Sequence, residues 1–449
     1  MSNSYNSQIP KEVLQIIKTI EDAGYEAYIV GGCVRDMLMG RKPHDFDITT
    51  KATPDEVKKL FRRTYDTGIQ HGTVTVLLSK GQYEVTTYRI EEDYKDFRRP
   101  EKVSFVQDIT LDLARRDFTM NAIAYHPDRG FVDPYKGQED IKNHIIRCVG
   151  DPVLRFSEDA LRILRAVRFS AQLGFSISKN TIEGIDRCKD LLEHISKERI
   201  RDEWMKICIS PSPKHIKLLY ELGLLPYIMP EFIPAFTTPQ NHPHHIYNVA
   251  EHTLCGMQEV PADPILRITM LLHDIGKPYT KTTDKEGIDH FEGHVQKSVT
   301  LAKDILKRLR LDNASINDIL SLIKNHDYHL EYRISKLTIK KLLNEIGPDL
   351  FDKLVIVQEA DARSQAPSKL SGKLEQLEMA KAYKEEIINN KECYLISQLA
   401  INGNDLINHG WPKGKGVGEA LEKALLYVME NPAQNHKEIL LAYLRGEFT

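Results

Sequence analysis

The sequence predicts an α+β protein, a head with a small mixed sheet over residues 1–150 followed by all-α domains to the end of the chain. Two observations carry this. Runs rich in β-branched residues, separated by turn signals, are confined to the first 150 residues, and from Ser157 onward apolar residues recur almost continuously at helical spacing. A third observation divides the helical part: prolines 226, 230, 234, 239 and 243 form one linker signal, and SQAPSKLSG (364–372) forms another. The expected divisions are 1–150, 151–240, 241–365 and 366–449. The length of 449 residues suits about three domains at ~150 residues each.

The elements of the head follow from local chemistry. Val13 to Ile20 (VLQIIKTI) has helical periodicity, and Tyr25 to Val30 (YEAYIV) reads as a strand that ends in Gly31-Gly32. Phe46 to Thr49 is a second short strand. Thr53 is a helix N-cap with Pro54 at the first helical position, which starts a helix through Arg63. Thr73 to Leu78 and Tyr83 to Ile90 form a hairpin around Lys80-Gly81. The charged segment Glu91 to Val106, broken by Pro100, reads as a mobile surface loop.

Hydrophobic residues at 41% and charged residues at 28% exclude collagenous and wholly disordered chains. A net charge of -3 gives no global basic field, so a nucleic-acid surface has to be local. The polar N-terminus lacks a signal-peptide pattern, and no run approaches the ~18 apolar residues of a membrane span. The six cysteines are widely spaced with no CxxC pair, which argues for reduced thiols, no disulfide framework and a cytoplasmic setting.

Two constellations carry chemistry. The first opens with Gly31-Gly32-Cys33-Val34-Arg35-Asp36 at a strand-to-helix turn, where glycine lets a phosphate approach backbone N–H groups. Read alone, this is more often an ordinary tight turn. Downstream, His44-Asp45-Phe46-Asp47 places two carboxylates two residues apart, on one face of a strand. Hard oxygen ligands so placed suit Mg²⁺, and a pair of such ions can activate a hydroxyl and stabilise a leaving oxyanion.

With these motifs the sequence resembles the polymerase-beta nucleotidyltransferase superfamily, and within it the class II tRNA CCA-adding enzymes and bacterial poly(A) polymerases. The resemblance implies that Asp45 and Asp47 hold catalytic magnesium ions, that Glu84 is a third carboxylate, and that Gly31, Gly32 and Arg35 belong to the nucleotide site. Arg115 to Ala122 (RRDFTMNA) matches a further family motif, which makes Arg116 a nucleotide contact and Asp117 a ribose contact, with Asn121 beside them. Glu158-Asp159-Ala160-Leu161-Arg162 opens a helix, and residues three apart on a helix share a face. This matches the EDxxR motif, in which an acceptor (Asp159) and a planar donor (Arg162) template the base, with Arg165 one turn on. Glu91 to Val106 resembles the loop that family members use when switching from C to A addition, and the tail 402–421, with Lys413 and Lys415, resembles the part that holds tRNA.

The second constellation is histidine-rich. His273-Asp274-Ile275-Gly276-Lys277 follows an apolar helix, with His245, His252, His290, His294, His326 and Asp327 nearby in sequence. Imidazole and carboxylate are ligands of first-row metals. The segment resembles an HD domain, a metal-dependent phosphohydrolase fold. The expected ligands are His273, Asp274 and Asp327, with His294 in addition and either His245 or His252 from the first helix. The expected function is CCA addition to tRNA from CTP and ATP with Mg²⁺ and with a second divalent metal in the HD domain, without a membrane or a required protein partner. The alternatives are A-only or poly(A) synthesis, or an HD phosphohydrolase with a non-catalytic head.

Overall fold

Val13, Ile16, Ile17 and Ile20 fall on one helical face, and the helix Lys11–Asp22 buries all four against the head sheet. Each such burial contributes roughly 1.5–3 kcal/mol. In this computed structural model the described residues are 3–79, 81–95, 99–241, 247–327, 334–366 and 370–446. They divide into two units, 1–230 and 231–449.

The first unit begins with a seven-stranded sheet among the described residues. Its strands are β1 (Ala27–Val30), β2 (Asp47–Thr50), β3 (Thr64–Gly68), β4 (Thr73–Leu78) and β5 (Gly81–Thr87), together with β8 (Ala124–His126) and β9 (Gly130–Val132). A separate two-stranded ribbon contains β6 (Arg89–Lys95) and β7 (Arg99–Phe105). The sheet order is β3-β4-β5-β2-β1-β8-β9, in which β2 runs parallel to β5 and the other neighbours are antiparallel. The sheet is mixed, as expected. The hairpin at Gly81 is present, with Lys80 outside the described residues. Pro54 opens a helix that stops at Leu60, and Glu56 closes a capping box on Thr53, whose N–H it accepts at 2.7 Å.

Two expectations change. The segment 91–106 is a β-ribbon in place of a loop, with Tyr94 opposite Pro100. A proline is tolerated here because a two-stranded ribbon has only edge strands. Residues 96–98 at the tip lie outside the described residues. The EDxxR segment does not open one helix. Pro152–Glu158, capped by Asp151, ends before Asp159, and Leu161–Leu173 starts anew. Asp159 is extended between them (φ -144°, ψ 102°), and its carboxylate accepts the Leu161 N–H at 3.1 Å.

The second unit packs Val249–Glu259, Pro264–Leu272, His294–Arg308, Asn313–Asn325 and the long helix Lys336–Arg363, which kinks at Gly347 (φ 74°) ahead of Pro348. The tail helices Leu370–Asn389, Lys415–Glu430 and Lys437–Leu444 share a core with that long helix through Leu343, Leu354, Leu377, Val428 and Leu440. Lys340 is sealed in this junction, donating to the Met429 carbonyl at 2.9 Å and pairing with Glu392 at 2.7 Å. Lys413 and Lys415 are exposed. All six cysteines are free. Among the described residues no helix is long and apolar enough to cross a membrane.

Candidate active site and metal centre

Strand register assembles the head site. β1 ends at Gly31, whose φ of 85° is readily held only by glycine, and a Cβ there would lie 2.9 Å from an Arg116 guanidinium nitrogen. Val30 is paired with Asp47 across the β1–β2 ladder, so the glycine turn and the aspartate are neighbours. Asp47 is the first residue of β2 and Asp45 precedes the strand. Burial still alternates, with Asp45 and Asp47 exposed and Phe46 buried between them. On the other side of β2, Ile48 pairs with Val85, which brings Glu84 level with Asp47. Desolvation, then the charges of Asp45 and Glu84, push Asp47 up to about 6 against the pull of Arg116. Three carboxylates that act on one another in this way are hard oxygen donors whose mutual repulsion Arg116 only partly offsets, which fits divalent magnesium.

The RRDFT segment supplies the cationic side. Arg116 lies within the protein, lowered by burial, with its Nε lacking a hydrogen-bond partner. Asp117 accepts from Arg165 Nε at 2.8 Å and from a terminal nitrogen of the same guanidinium at 2.6 Å, while Asn121 Nδ2 and the Phe118 N–H bind its other oxygen. Burial alone would raise Asp117, but Arg165 and Asn121 outweigh it and hold the carboxyl at about 2. Arg35 donates to Asn121 Oδ1 at 2.9 Å and to Asp36, and with Arg165 and Arg168 it surrounds the Phe169 ring. Gly32 opens the helix that carries Arg35.

The two EDxxR residues have separate partners. Asp159 takes Arg199 at 2.8 Å. Arg162 is held by Glu158 at 2.6 Å and by the carbonyls of Arg155 (3.1 Å) and Arg115 (3.0 Å). The helix break after Glu158 accounts for this, because the extended Asp159 leaves Glu158, at the end of one helix, to pair with Arg162 near the start of the next, while its own carboxylate reaches Arg199. Arg199, on the helix Lys197–Cys208, is a site neighbour that the sequence motifs did not single out.

In the second unit four imidazoles have a fixed orientation. His252 Nδ1 faces the Ser364 carbonyl (3.2 Å), His273 Nδ1 that of Met270 (2.7 Å), His294 Nδ1 that of Phe291 (2.9 Å) and His326 Nδ1 that of Ile323 (2.7 Å). Each Nε2 is thereby turned inward as a donor to a cation. Asp274 Oδ2 lies 3.4 Å from His252 and 3.2 Å from His273, and Asp361 Oδ1 lies 2.9 Å and 3.4 Å from the same two nitrogens. Asp274 Oδ1 faces His294 (3.5 Å) and His326 (3.7 Å). The result is two ligand sets, His252–His273–Asp274–Asp361 and Asp274–His294–His326, each with its donor atoms within 4.8 Å of one another and both using Asp274.

These residues fit metal on the structure's own terms. His273 Nε2 is a buried atom that completes no hydrogen bond, while Asp274 Oδ2 is met by Lys277 Nζ at 2.7 Å as an ion pair. Burial would lower His273, but the two aspartates push it up to about 10, and the histidines with Lys277 hold Asp274 well below the usual carboxylate range. The centre thus demands positive charge, which a divalent cation supplies. Gly276 makes the second set possible, since a Cβ there would lie 2.3 Å from the His294 carbonyl. The centre opens into a cavity of about 410 Å³ lined by Lys277, Phe291 and Lys373 together with Asp274, His294, His326 and Asp361.

One expected ligand is corrected. Asp327 is exposed and lines the cavity, while its neighbour His326 is buried and points into the cluster. The second carboxylate is Asp361, on the buried face of Lys336–Arg363 with Gln358 and Ala362. Between the two candidates from the first helix, His252 is in the cluster and His245 lies outside the described residues. Asp361 was missed because its signal, one aspartate in an apolar helical stripe, is far from the HD pair in sequence.

Sequence comparison matches residues 27–147 to the Poly A polymerase head domain, 174–236 to the Probable RNA and SrmB-binding site of polymerase A, and 244–365 to the HD domain. The chain is 35% identical over 432 residues to the CCA-adding enzyme of Lactobacillus johnsonii, covering 96% of both chains. It is 51% identical over 221 residues to that of Lactobacillus helveticus, where the match covers 49% of this chain and 55% of the other. Among solved structures, the Bacillus stearothermophilus CCA-adding enzyme in complex with CTP aligns over 97% of both chains, with a TM-score of 0.74 and 30% identity.

Proposed function

Because this chain belongs to the CCA-adding enzyme family of nucleotidyltransferases, we propose that it extends the 3′ end of tRNA with CCA from CTP and ATP, releasing pyrophosphate. The observation that supports this reading best is the convergence of Asp45, Asp47 and Glu84 opposite Arg116 beside the Gly31 turn. The tRNA terminal hydroxyl attacks the α-phosphate, the bond to the β-phosphate breaks, and pyrophosphate leaves. Asp45, Asp47 and Glu84 would hold magnesium, which would supply activation of that hydroxyl and charge neutralisation for the leaving oxyanion. Arg116, Arg35 and Arg165 bind the triphosphate, and Asp117 accepts from the ribose while it aims Arg165.

Base choice belongs to Asp159 and Arg162. The carboxylate accepts an exocyclic amino hydrogen and the guanidinium donates to the adjacent ring acceptor, a pattern that cytosine and adenine share and that uracil and guanine lack. Arg162 is anchored by two backbone carbonyls and by Glu158, so both nucleotides meet the same fixed donor plane. The proposed division is a head (1–150), a neck (151–240), an HD domain (241–365) and a tail (366–449), acting in the cytoplasm.

The test uses purified protein, Mg²⁺ and transcripts ending before the CCA, after CC, and after the full CCA, each with CTP, ATP or both. Addition of CCA to the first and nothing to the last supports the proposal. A single A on the second with no extension of the first reassigns the enzyme to A addition, and a long A tail reassigns it to poly(A) synthesis.

The HD centre is a divalent-metal phosphohydrolase site, in which Lys277 and Lys373 flank the cavity as phosphate partners. Titration calorimetry with Mn²⁺, Co²⁺, Ni²⁺ or Zn²⁺ reads metal binding independently of activity. Asp361→Ala weakens binding by about 10–100-fold or more, whereas Asp327→Ala leaves it unchanged. Equal affinities in the two variants sink the Asp361 assignment.

A further inference from the structure

Asp112, one turn ahead of Arg116, is a fully buried carboxylate that neither the metal site nor base choice uses. Its two oxygens face different parts of the head. Oδ1 accepts from Arg115 Nε at 2.9 Å and from the backbone N–H of Arg89, the first residue of β6, at 3.4 Å. Oδ2 accepts from the Thr49 hydroxyl at 3.3 Å, two residues along β2 from Asp47, and lies 3.6 Å from Arg116. The Oδ1 side continues outward, since Arg115 reaches Glu91 of β6 at 3.3 Å and Glu91 accepts from Arg89 Nε at 2.8 Å. Arg89 also donates to the His71 carbonyl. On the chain's other flank the Arg115 carbonyl holds Arg162 and the Ala114 carbonyl holds Arg155.

We propose that Asp112 is a positioning residue that couples the root of the β6–β7 ribbon to Arg116, so that a shift of the ribbon is transmitted to the guanidinium facing the nucleotide. A buried carboxylate with Arg115 and a backbone N–H on one oxygen, and the Thr49 hydroxyl and Arg116 on the other, has one low-energy placement, because displacing either oxygen strands a donor in the interior. The ribbon root and Arg116 are therefore linked through a rigid charged group. Glu91, Arg115 and Arg89 have side chains 10–17% exposed, which keeps this link largely out of solvent. The inference rests on the reading of Arg116 as a nucleotide contact.

The test is steady-state incorporation of CTP on transcripts lacking CCA and of ATP on transcripts ending in CC, with thermal midpoints measured in parallel. Asp112→Asn keeps the shape of the side chain and removes its charge. It raises the nucleotide KM by about tenfold while kcat stays within about threefold, since binding geometry is disturbed and the metal carboxylates are intact. Glu91→Gln, which does not touch Arg116, moves KM in the same direction. The double variant adds less than the sum of the two, as expected of residues acting through one network. A fall in kcat that tracks the folded fraction with KM unchanged, or strict additivity, overturns the proposal. Arg116→Ala separates the two readings. If it leaves KM unchanged, the assignment of Arg116 falls; if it raises KM while Asp112→Asn does not, only the coupling falls.

Discussion

Replacing Asp47 with Asn lowers nucleotide incorporation by about a thousandfold or more, equivalent to about 4 kcal/mol of transition-state stabilisation, without lowering the thermal midpoint. The two effects separate because Asp47 is crowded by like charge. Asp45 and Glu84 both push its carboxyl up, so the amide relieves repulsion in the folded state and at the same time removes a hard anionic ligand from the metal site. Single-turnover incorporation with excess enzyme, measured beside circular dichroism and a melting curve, checks both statements. A folded Asp47→Asn protein that retains more than about a tenth of wild-type rate contradicts the assignment, since a tenfold loss is only ~1.4 kcal/mol.

Lys340→Met destabilises the second unit by about 3 kcal/mol. The ammonium is 1% exposed, pairs with Glu392 and satisfies the Met429 carbonyl near the end of Lys415–Glu430. Methionine fills the volume and leaves both acceptors with fewer donors. Lys336 still pairs with Glu392, which keeps the loss below that of a fully orphaned buried charge. At roughly 2–4 °C per kcal/mol for a unit of this size, the melting transition falls by about 6–12 °C. The double variant Lys340→Met with Glu392→Gln recovers part of this. Burial alone would raise Glu392, but Lys336 and Lys340 keep it below its ordinary value. A depressed carboxylate stabilises above its unfolded value and loses that contribution as pH falls through the folded value. The gap between wild type and Lys340→Met therefore narrows in acid, and a gap that widens argues that the pair is not the source of the stability.

Legibility in the sequence tracked how local each signal was. HDFD and RRDFTMNA were readable because residue types at fixed short spacings reported one surface, and Val30–Asp47 pairing and the Arg165–Asp117 bond follow from where those motifs fall on strands and helices. The ribbon was not legible, because Glu91 to Val106 lacks alternating apolar residues and contains a proline, which an edge strand tolerates and a sequence pattern penalises. The break before Asp159 was missed for a related reason. EDALR has a helical composition, and only the extended backbone of Asp159 and its bond to the Leu161 N–H mark a new start. At His326-Asp327 the residue types were right and the facing was wrong. His326 caps the end of Asn313–Asn325 and is buried in the cluster, whereas Asp327, the next residue, is exposed, so the carboxylate that the resemblance implied does not join the ligands. Asp361 required tertiary information, since a lone aspartate in an apolar stripe has no local partner to announce it.

The parallel pairing of β2 with β5 has a consequence for how the protein is made. β2 is flanked on one side by the strand that ends in the glycine turn and on the other by the strand that carries Glu84, and the second pairing cannot form until the intervening helix and β3–β4 have been laid down. Asp47 and Glu84 therefore meet only when a slow, non-local closure at the centre of the sheet is complete. A nascent or partly unfolded head has the glycine turn and the aspartates in sequence but does not yet hold Glu84 level with Asp47. Catalytic competence arrives late in folding, and a half-built molecule has no means of acting on RNA.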